Sequence, residues 1–484
     1  MPIKICYLSA EMAPFAKVGG LADVSGALVK YLHAAGHDMR LFMPFHGSIE
    51  RAGLEVYPVA FLQAVPLVIG KQSYRFSVQT ARLPGTEAFV YLVDCPAAFG
   101  GSSVYTADPL EYRRYLLLTH AAFLSCQRMG FAPQILHCND WHTAIAPLWL
   151  RSIYRWDKLF EATRSVMAIH NLAYQGVIGP AAAAEVLSGA GPEMLHQDDL
   201  RAGRVNLLRC GLLYADLLVT VSPSYAREIQ TPEYGAGLDD TLRARKASLL
   251  GILNGVDYQE WDPRNDRFLP RHYGANQLGV KAGLKEELLA RLKLQGGERR
   301  ALIGMITRLA TQKGVDLLLK ALPALLASGD FSLAVLGSGE PLYENFFTAL
   351  ARQYPGRVAF HRGYSEELAH WIEAGSDMFL MPSRYEPCGL NQMYSLRYGT
   401  VPIVRRTGGL GDSVQHFDPK TGAGTGIVFN DYNEQAVSWA ITTALDLYEQ
   451  KGAWRRLVQN GMARDFSWKR QVQRYVEAYE QLVG

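Results

Sequence analysis

One pattern runs through this chain twice: a short apolar run, a polar or glycine-bearing loop, then a segment with apolar residues three and four apart. That alternation is what βα units look like in sequence, and it commits each pass to a mostly parallel sheet covered by helices on both faces. In the first pass the runs are residues 3–8, 39–43, 135–138, 165–169, 217–221 and 248–253, with alternating hairpin-like segments between 56 and 93. The second pass has runs at 301–307, 331–336, 358–361, 378–381 and 401–404, the last of them the final clear strand. Between the passes, Trp261-Asp262-Pro263-Arg264-Asn265-Asp266 is turn-rich and loses periodicity, as an interdomain linker would. At 484 residues the chain is too long for one ordinary domain. The expected fold is therefore α/β, two Rossmann-like doubly wound domains over 1–258 and 259–460. Residues 461–484 are expected to form a terminal helix. Its stripe of Val472, Tyr475, Val476, Tyr479 and Leu482 suits packing back on the first domain.

In such sheets ligands gather at the carboxyl ends of the strands, so the loops there are where function is sought. The most informative is Ser383-Arg384-Tyr385-Glu386-Pro387-Cys388-Gly389-Leu390-Asn391, between the run 378–381 and a helix-compatible stretch stopped by Gly399. It sets a carboxylate, Glu386, just before a helix N-terminus whose free N–H groups favour an anion. Cys388 and Gly389 are small enough to let a phosphate reach backbone. A carboxylate beside a phosphate cradle suits chemistry on a sugar carried by a phosphate. Arg308 and Lys313 leave one strand end five residues apart, a guanidinium for bidentate contacts and an ammonium as a point charge. Near the start, the run 3–8 leads into a loop holding Lys17, Gly19 and Gly20, with Asp23 in the first turn of the helix that follows. This is strand, glycine loop, helix, without the GxGxxG of a nicotinamide site. Asp140 and His142 follow the run 135–138, and His170 and Asn171 follow 165–169. Tyr105, beyond a glycine–serine loop, offers a ring for stacking on a sugar. An HxH-type metal site is the competing reading of the histidines, but His137 lies inside its strand. No Asp-x-Asp occurs, so metal-assisted diphosphate departure has no obvious ligands and no metal cofactor is expected.

Bulk composition narrows the class. With 49% hydrophobic and 20% charged residues the chain can bury full cores. A net charge of +3, from 49 Lys+Arg and 46 Asp+Glu, gives no global case for nucleic acid or membrane binding. Six scattered cysteines without a CxxC pair indicate neither a disulfide framework nor a zinc site, and a reducing cytoplasm is expected. The apolar run at the N-terminus ends at Glu11, too short for a signal peptide's core. No run approaches the roughly 20 apolar residues that span a bilayer.

Five of these motifs, in order, carry a resemblance. Lys17-Val18-Gly19-Gly20-Leu21, His170-Asn171, Arg308 with Lys313-Gly314, Glu386-Pro387-Cys388-Gly389-Leu390 and Thr407-Gly408-Gly409-Leu410 together resemble the bacterial glycogen synthases and their plant starch synthase relatives. The resemblance runs from the first strand to the last helix. It implies a GT-B glycosyltransferase whose two domains face across a deep cleft. It further implies transfer of glucose from ADP-glucose to the non-reducing end of an α-1,4-glucan, with retention at the anomeric carbon and no cofactor. ADP-glucose and glucan are then the expected partners. The implied catalytic groups are Glu386, His170, Arg308, Lys313 and Asp140. The implied substrate-binding groups are Lys17, Gly19, Gly20, Asp23, Tyr105, Asn171, Asn254, Tyr364, Cys388, Gly389, Leu390, Thr407 and Gly408. Many retaining GT-B enzymes place a second glutamate eight residues after the first. Here that position is Tyr394, as suits the glycogen and starch synthases, which lack it. The rival readings are a retaining transferase with another donor such as UDP-glucose or a small acceptor, and a glucan-binding protein without activity. A dinucleotide oxidoreductase is third, since Gly337-Ser338-Gly339 lacks a third glycine at its place.

Overall fold

The structure, a computed structural model, describes residues 2–49, 54–101, 103–297 and 299–484. The chain divides into two compact units, the first comprising Met1–Val221, Ala226–Gly255 and Trp468–Gly484, the second Ser222–Tyr225 and Val256–Ser467. The breaks thus fall at Gly255/Val256 and Ser467/Trp468 rather than after residues 258 and 460. The physical reason is local: the two segments pair as a parallel bridge, Val256 with Ser467, and the Val256 N–H donates to the Phe466 carbonyl at 2.7 Å.

In the first unit the strands are β1 (Lys4–Leu8), β2 (Asp38–Pro44), β3 (Val56–Pro58), β4 (Val65–Ile69), β5 (Gln72–Arg82), β6 (Phe89–Asp94), β7 (Ile135–Asn139), β8 (Arg164–Ile169), β9 (Val177–Ile178), β10 (Val205–Asn206), β11 (Leu217–Thr220) and β12 (Leu249–Gly251). The main sheet runs β12-β11-β8-β7-β1-β2-β6-β5-β3, with β4 paired to β5 and β9–β10 a separate pair. From β12 to β6 the pairing is parallel, and β5, β3 and β4 add an antiparallel edge. β1 and β7 are buried nearly throughout, as central parallel strands must be when helices cover both faces. Strand order reverses between β1 and β7. The loops leaving those two strands therefore diverge and open a crevice at their carboxyl ends. The helix Trp468–Val483 contributes Trp468, Val472, Tyr475 and Tyr479 to the core formed by Ile5, Tyr7, Val24, Leu28 and Leu41. Its Tyr479 hydroxyl lies 2.7 Å from His137 Nδ1.

In the second unit six parallel strands, β13 (Ala301–Ile306), β14 (Phe331–Gly337), β15 (Val358–Arg362), β16 (Met378–Met381), β17 (Val401–Arg405) and β18 (Ile427–Phe429), run in the order β15-β14-β13-β16-β17-β18. The switch point here lies between β13 and β16. β18 extends the sheet past the expected last strand; at three residues it is too short to announce itself by periodicity. The turn-rich stretch 261–266 is not a spacer. Trp261 stacks between His370 and Tyr394, at ring separations of 3.7 and 4.1 Å. Asp262 and Asp266 are 2% and 1% exposed. Arg264 and Arg397 hold the first, while the His370 ring and the Tyr398 hydroxyl hold the second. The polar residues that made the stretch look like a surface loop are turned inward and satisfied.

Candidate active site

The second unit brings the expected charges together at its switch point. Lys313, in the loop after β13, sets its ammonium 2.6 Å from Glu386 Oε2, in the loop after β16. Ser383 Oγ donates to the same oxygen at 3.1 Å. Glu386 is 5% exposed, so this carboxylate survives in its buried place only because a cation and a hydroxyl face it. Arg308 extends from the same loop as Lys313, and its guanidinium donates to Gln312 Oε1 at 2.9 Å. Two glycines make the close approach of these loops possible. Gly314 has φ +74°, and a Cβ there would lie 2.0 Å from the Pro382 carbonyl. Gly408 has φ +44°, and its Cβ would lie 2.0 Å from the Glu386 carbonyl. Both positions exclude any side chain. Gly409 N–H donates to the carbonyls of Glu386 and Pro387. Thr407 and Cys388 are buried beside this turn, and Gly389 takes φ +70° ahead of the helix Asn391–Tyr398, whose N-cap is Leu390. Tyr364 stands apart from this cluster, following edge strand β15 and 63% exposed. Ser222, a residue with no sequence signal for this role, donates from Oγ to the Pro387 carbonyl at 2.6 Å, and Ser224 binds Asp412 through N–H and Oγ, both at 2.7 Å. Ser222 thus braces the Glu386 loop, and Ser224 the helix Gly408–Ser413 beside it, both from a distant stretch of the chain.

In the first unit the crevice between β1 and β7 is lined by two buried carboxylates, each holding a loop. Glu11, after β1, is 2% exposed and accepts N–H bonds from Val18 at 2.5 Å and Gly19 at 3.2 Å. Tyr105 also hydrogen-bonds it, and burial raises its pKa against those bonds. Sequence reasoning left Glu11 out of the site. The available signal was an acid placed directly after the first strand, opposite a glycine loop that needs an acceptor. Lys17, in the loop Glu11 holds, pairs with Asp23 at 2.7 Å across a partly solvated gap. Neither Gly19 nor Gly20 takes a positive φ, and no neighbour crowds a Cβ at either. The Gly19 N–H is committed to Glu11, while Gly20 opens the helix that follows with no side chain over its N–H.

Asp140, after β7, has φ +51°, an uncommon conformation for a residue with a side chain, of the sort that concentrates at functional sites. Its Oδ1 accepts from the N–H groups of His170 at 2.8 Å and Asn171 at 3.4 Å. Burial pushes its pKa up to about 7, offset by those two bonds and reinforced by the nearby Glu11 charge. Asn139 Oδ1 lies 2.9 Å from His170 Nε2. An amide oxygen only accepts, so Nε2 carries the proton and Nδ1 the lone pair. Burial lowers the His170 pKa to about 4, leaving a neutral ring. The Tyr105 ring stacks on His142 at 5.0 Å. Asn254, after edge strand β12, is buried with Oδ1 unpartnered among the described residues. His137 sits in the core against Tyr7, 4.7 Å ring to ring. Among the described residues no three His, Cys, Asp or Glu side chains converge as a metal would require.

Comparison with known proteins gives the family and the fold. The family model of the starch synthase catalytic domain matches residues 4–244, and that of glycosyl transferases group 1 matches residues 290–461. A glycogen synthase of Anaeromyxobacter dehalogenans (strain 2CP-C) is 43% identical, over 99% of this chain and 100% of its own. One of Thermotoga maritima is 41% identical over 100% and 99%. Among solved structures, the catalytic domain of Starch Synthase IV from Arabidopsis thaliana, bound to ADP and acarbose, superposes with a TM-score of 0.91 at 32% identity, each chain covered in full.

Proposed function

Because the chain belongs to the glycogen synthase family of GT-B glycosyltransferases, we propose that it transfers glucose from ADP-glucose to the non-reducing end of an α-1,4-glucan, with retention at the anomeric carbon. The observation that carries the reading is the Lys313–Glu386 pair at the switch point of the second unit, with Arg308 in the same loop. Two cations in one loop match the charge of a departing diphosphate, and a buried carboxylate beside them matches a sugar whose anomeric carbon turns positive in the transition state. ADP in the related starch synthase structure supports adenine as the donor base.

In the proposed step the bond from C1 to the β-phosphate oxygen breaks while a bond from C1 to the acceptor O4 forms on the same face. The O4 proton passes to the leaving phosphate oxygen. Arg308 and Lys313 stabilise the charge on that leaving group. Lys17 and the N–H of Gly20, in the glycine loop that Glu11 holds through Gly19, contact the donor, helped by the turns at Gly389-Leu390 and Thr407-Gly408. Glu386 fixes glucosyl hydroxyls and steadies oxocarbenium charge. The neutral His170 ring, oriented through Asn139, holds the glucosyl group, and Asp140 keeps the His170-Asn171 turn in place. The charge neutralisation lies in side chains, so the reaction needs no metal.

The test is glucose incorporation into glycogen from radiolabelled ADP-glucose and UDP-glucose, by the wild type and Glu386→Ala, with and without EDTA. Transfer from ADP-glucose, insensitive to EDTA and reduced by at least about 10²–10³ in the variant, is the expected outcome. Equal use of UDP-glucose would overturn the donor assignment, and full activity in the variant would remove Glu386 from the chemistry. The anomeric configuration of the new linkage, read by NMR, decides retention.

A further inference from the structure

Away from the residues assigned above, the first unit holds an open cavity of about 560 Å³, walled by the start of β5, by Ala97, Ala98, Gly101, Ser103, Thr106 and Asp108, and by the N-terminal end of the helix Tyr112–Met129. Its size falls within the usual range for small-molecule pockets. We propose that this cavity is an outer acceptor subsite that binds the body of an α-1,4-glucan chain whose end is being extended; the proposal rests on the glucan acceptor put forward above.

The chemistry of the lining decides the ligand class. Two arginines border the cavity, yet neither is free to recruit an anion. Arg113 forms a bidentate pair with Glu185, through Nε at 2.7 Å and a terminal nitrogen at 2.6 Å. Arg114 is spent on the carbonyls of Ala98 and Val104, on Glu111 and on the His46 ring. A nucleotide or phosphate would find its counter-charge already taken. Asp108, also on the wall, accepts the Leu110 N–H at 2.8 Å and adds negative charge that disfavours an anion further, and the other groups left unspent are neutral. Among the described residues the side chains of Gln72, Tyr74 and Ser103 have no hydrogen-bond partner, and all three line the cavity. An amide, a phenol and an alcohol supply donors and acceptors without net charge, and the Tyr74 ring adds a face on which the C–H groups of a pyranose can rest. That combination recognises a neutral polyol.

Its position fits the same ligand. Ser103 and Thr106, both on the cavity wall, flank Tyr105, whose ring turns the other way, onto His142 and the Glu11 carboxylate. One short segment therefore forms part of the candidate site on one side and the cavity wall on the other. A chain whose end reaches Tyr105 has its following sugars beside Ser103, Thr106 and Tyr74. A polymer held at two places on one protein binds more tightly than either contact alone allows, because the second contact is intramolecular.

The experiment compares acceptors of different length. Initial rates are measured with maltotriose and with maltoheptaose, at saturating ADP-glucose, for the wild type, Tyr74→Ala and Gln72→Ala. Both positions border the open cavity, and Gln72 is exposed at the first residue of its strand, so at least the second variant retains the fold. The expected result is a fall of about five- to tenfold in kcat/KM for maltoheptaose, with maltotriose and the KM for ADP-glucose unchanged. A parallel fall for both acceptors, or no fall for either, overturns the subsite. A wild type inactive with both acceptors would instead overturn the glucan reading itself. Direct binding separates ligand classes: maltoheptaose binding weakened by Gln72→Ala supports the subsite, whereas ADP binding weakened by the same change would assign the cavity to an anion and sink it.

Discussion

Glu11 shows how much a single buried carboxylate can do without touching substrate. It takes two N–H groups of the Lys17–Gly20 loop and a bond from Tyr105, so one side chain sets the geometry of three proposed donor or acceptor contacts. Removing it leaves two backbone donors unsatisfied, at about 1–3 kcal/mol. Glu11→Ala is therefore expected to raise the KM for ADP-glucose and lower kcat/KM about 10- to 100-fold, with Glu11→Gln recovering part through its amide oxygen. Steady-state kinetics on the two variants, beside their melting temperatures, decide it. An unchanged donor KM in Glu11→Ala would mean the loop holds itself. The charged residues of the second unit were legible because Arg308, Lys313 and Glu386 stand at strand exits with characteristic neighbours. Glu11 was not, since its role lies in backbone N–H groups seven and eight residues away, and nothing in an isolated acid reveals a donor it accepts from. Tyr394 was legible only as an absence of glutamate. Its positive role, stacking on Trp261, depends on a residue more than a hundred positions earlier.

At the scale of elements, runs and loops could be read but their neighbours could not. Apolar runs announce strands, yet they carry no information on order, and both candidate sites depend on order: each lies where the sheet reverses, at β1/β7 and at β13/β16. The stretch 261–266 misled because composition cannot distinguish a polar turn facing water from one whose carboxylates face arginines and a histidine. The terminal helix is the opposite case, its stripe visible and its partner visible only in the fold. Trp468, fully buried, and Tyr479, bonded to His137, tie the last residues of the chain to its first strands. Trp468→Ala is expected to destabilise the first unit by about 3–5 kcal/mol, and Tyr479→Phe by about 1 kcal/mol. Urea titration followed by hydrogen exchange at β1 and β7 amides measures both. Unchanged protection in Trp468→Ala would show that the helix lies outside the cooperative unit.

The largest scale is that of the titrating ensemble, where no single residue decides. Burial lowers the pKa values of five histidines of the first unit, His46, His120, His137, His142 and His170, to about 4, 4, 3, 3 and 4. A base whose folded pKa lies below its unfolded value of about 6.5 leaves the unfolded state binding more protons as pH falls, so stability is intact above 6.5 and drains away toward 4. At pH 5 each such ring contributes a loss of about 2 kcal/mol, together about 10. Asp140 works in the opposite direction. Its folded pKa of about 7 lies above the unfolded value, so its contribution is full below about 4 and is lost as pH rises through 7. Moving from pH 7 to 5 it returns on the order of 2–3 kcal/mol. The histidines win, by about 7 kcal/mol, which is comparable to the whole stability of an ordinary domain. The first unit is therefore expected to lose cooperative structure between about pH 6 and 4.5, and Asp140→Asn, whose neutral amide stands for the protonated carboxyl, to be more stable than the wild type at pH 7 and to converge with it toward pH 5. Calorimetric scans at half-unit pH steps, with tyrosine and tryptophan fluorescence as a second probe, measure the shift. A first unit that melts at the same temperature at pH 7 and pH 5 would mean that these rings accept protons inside the folded core.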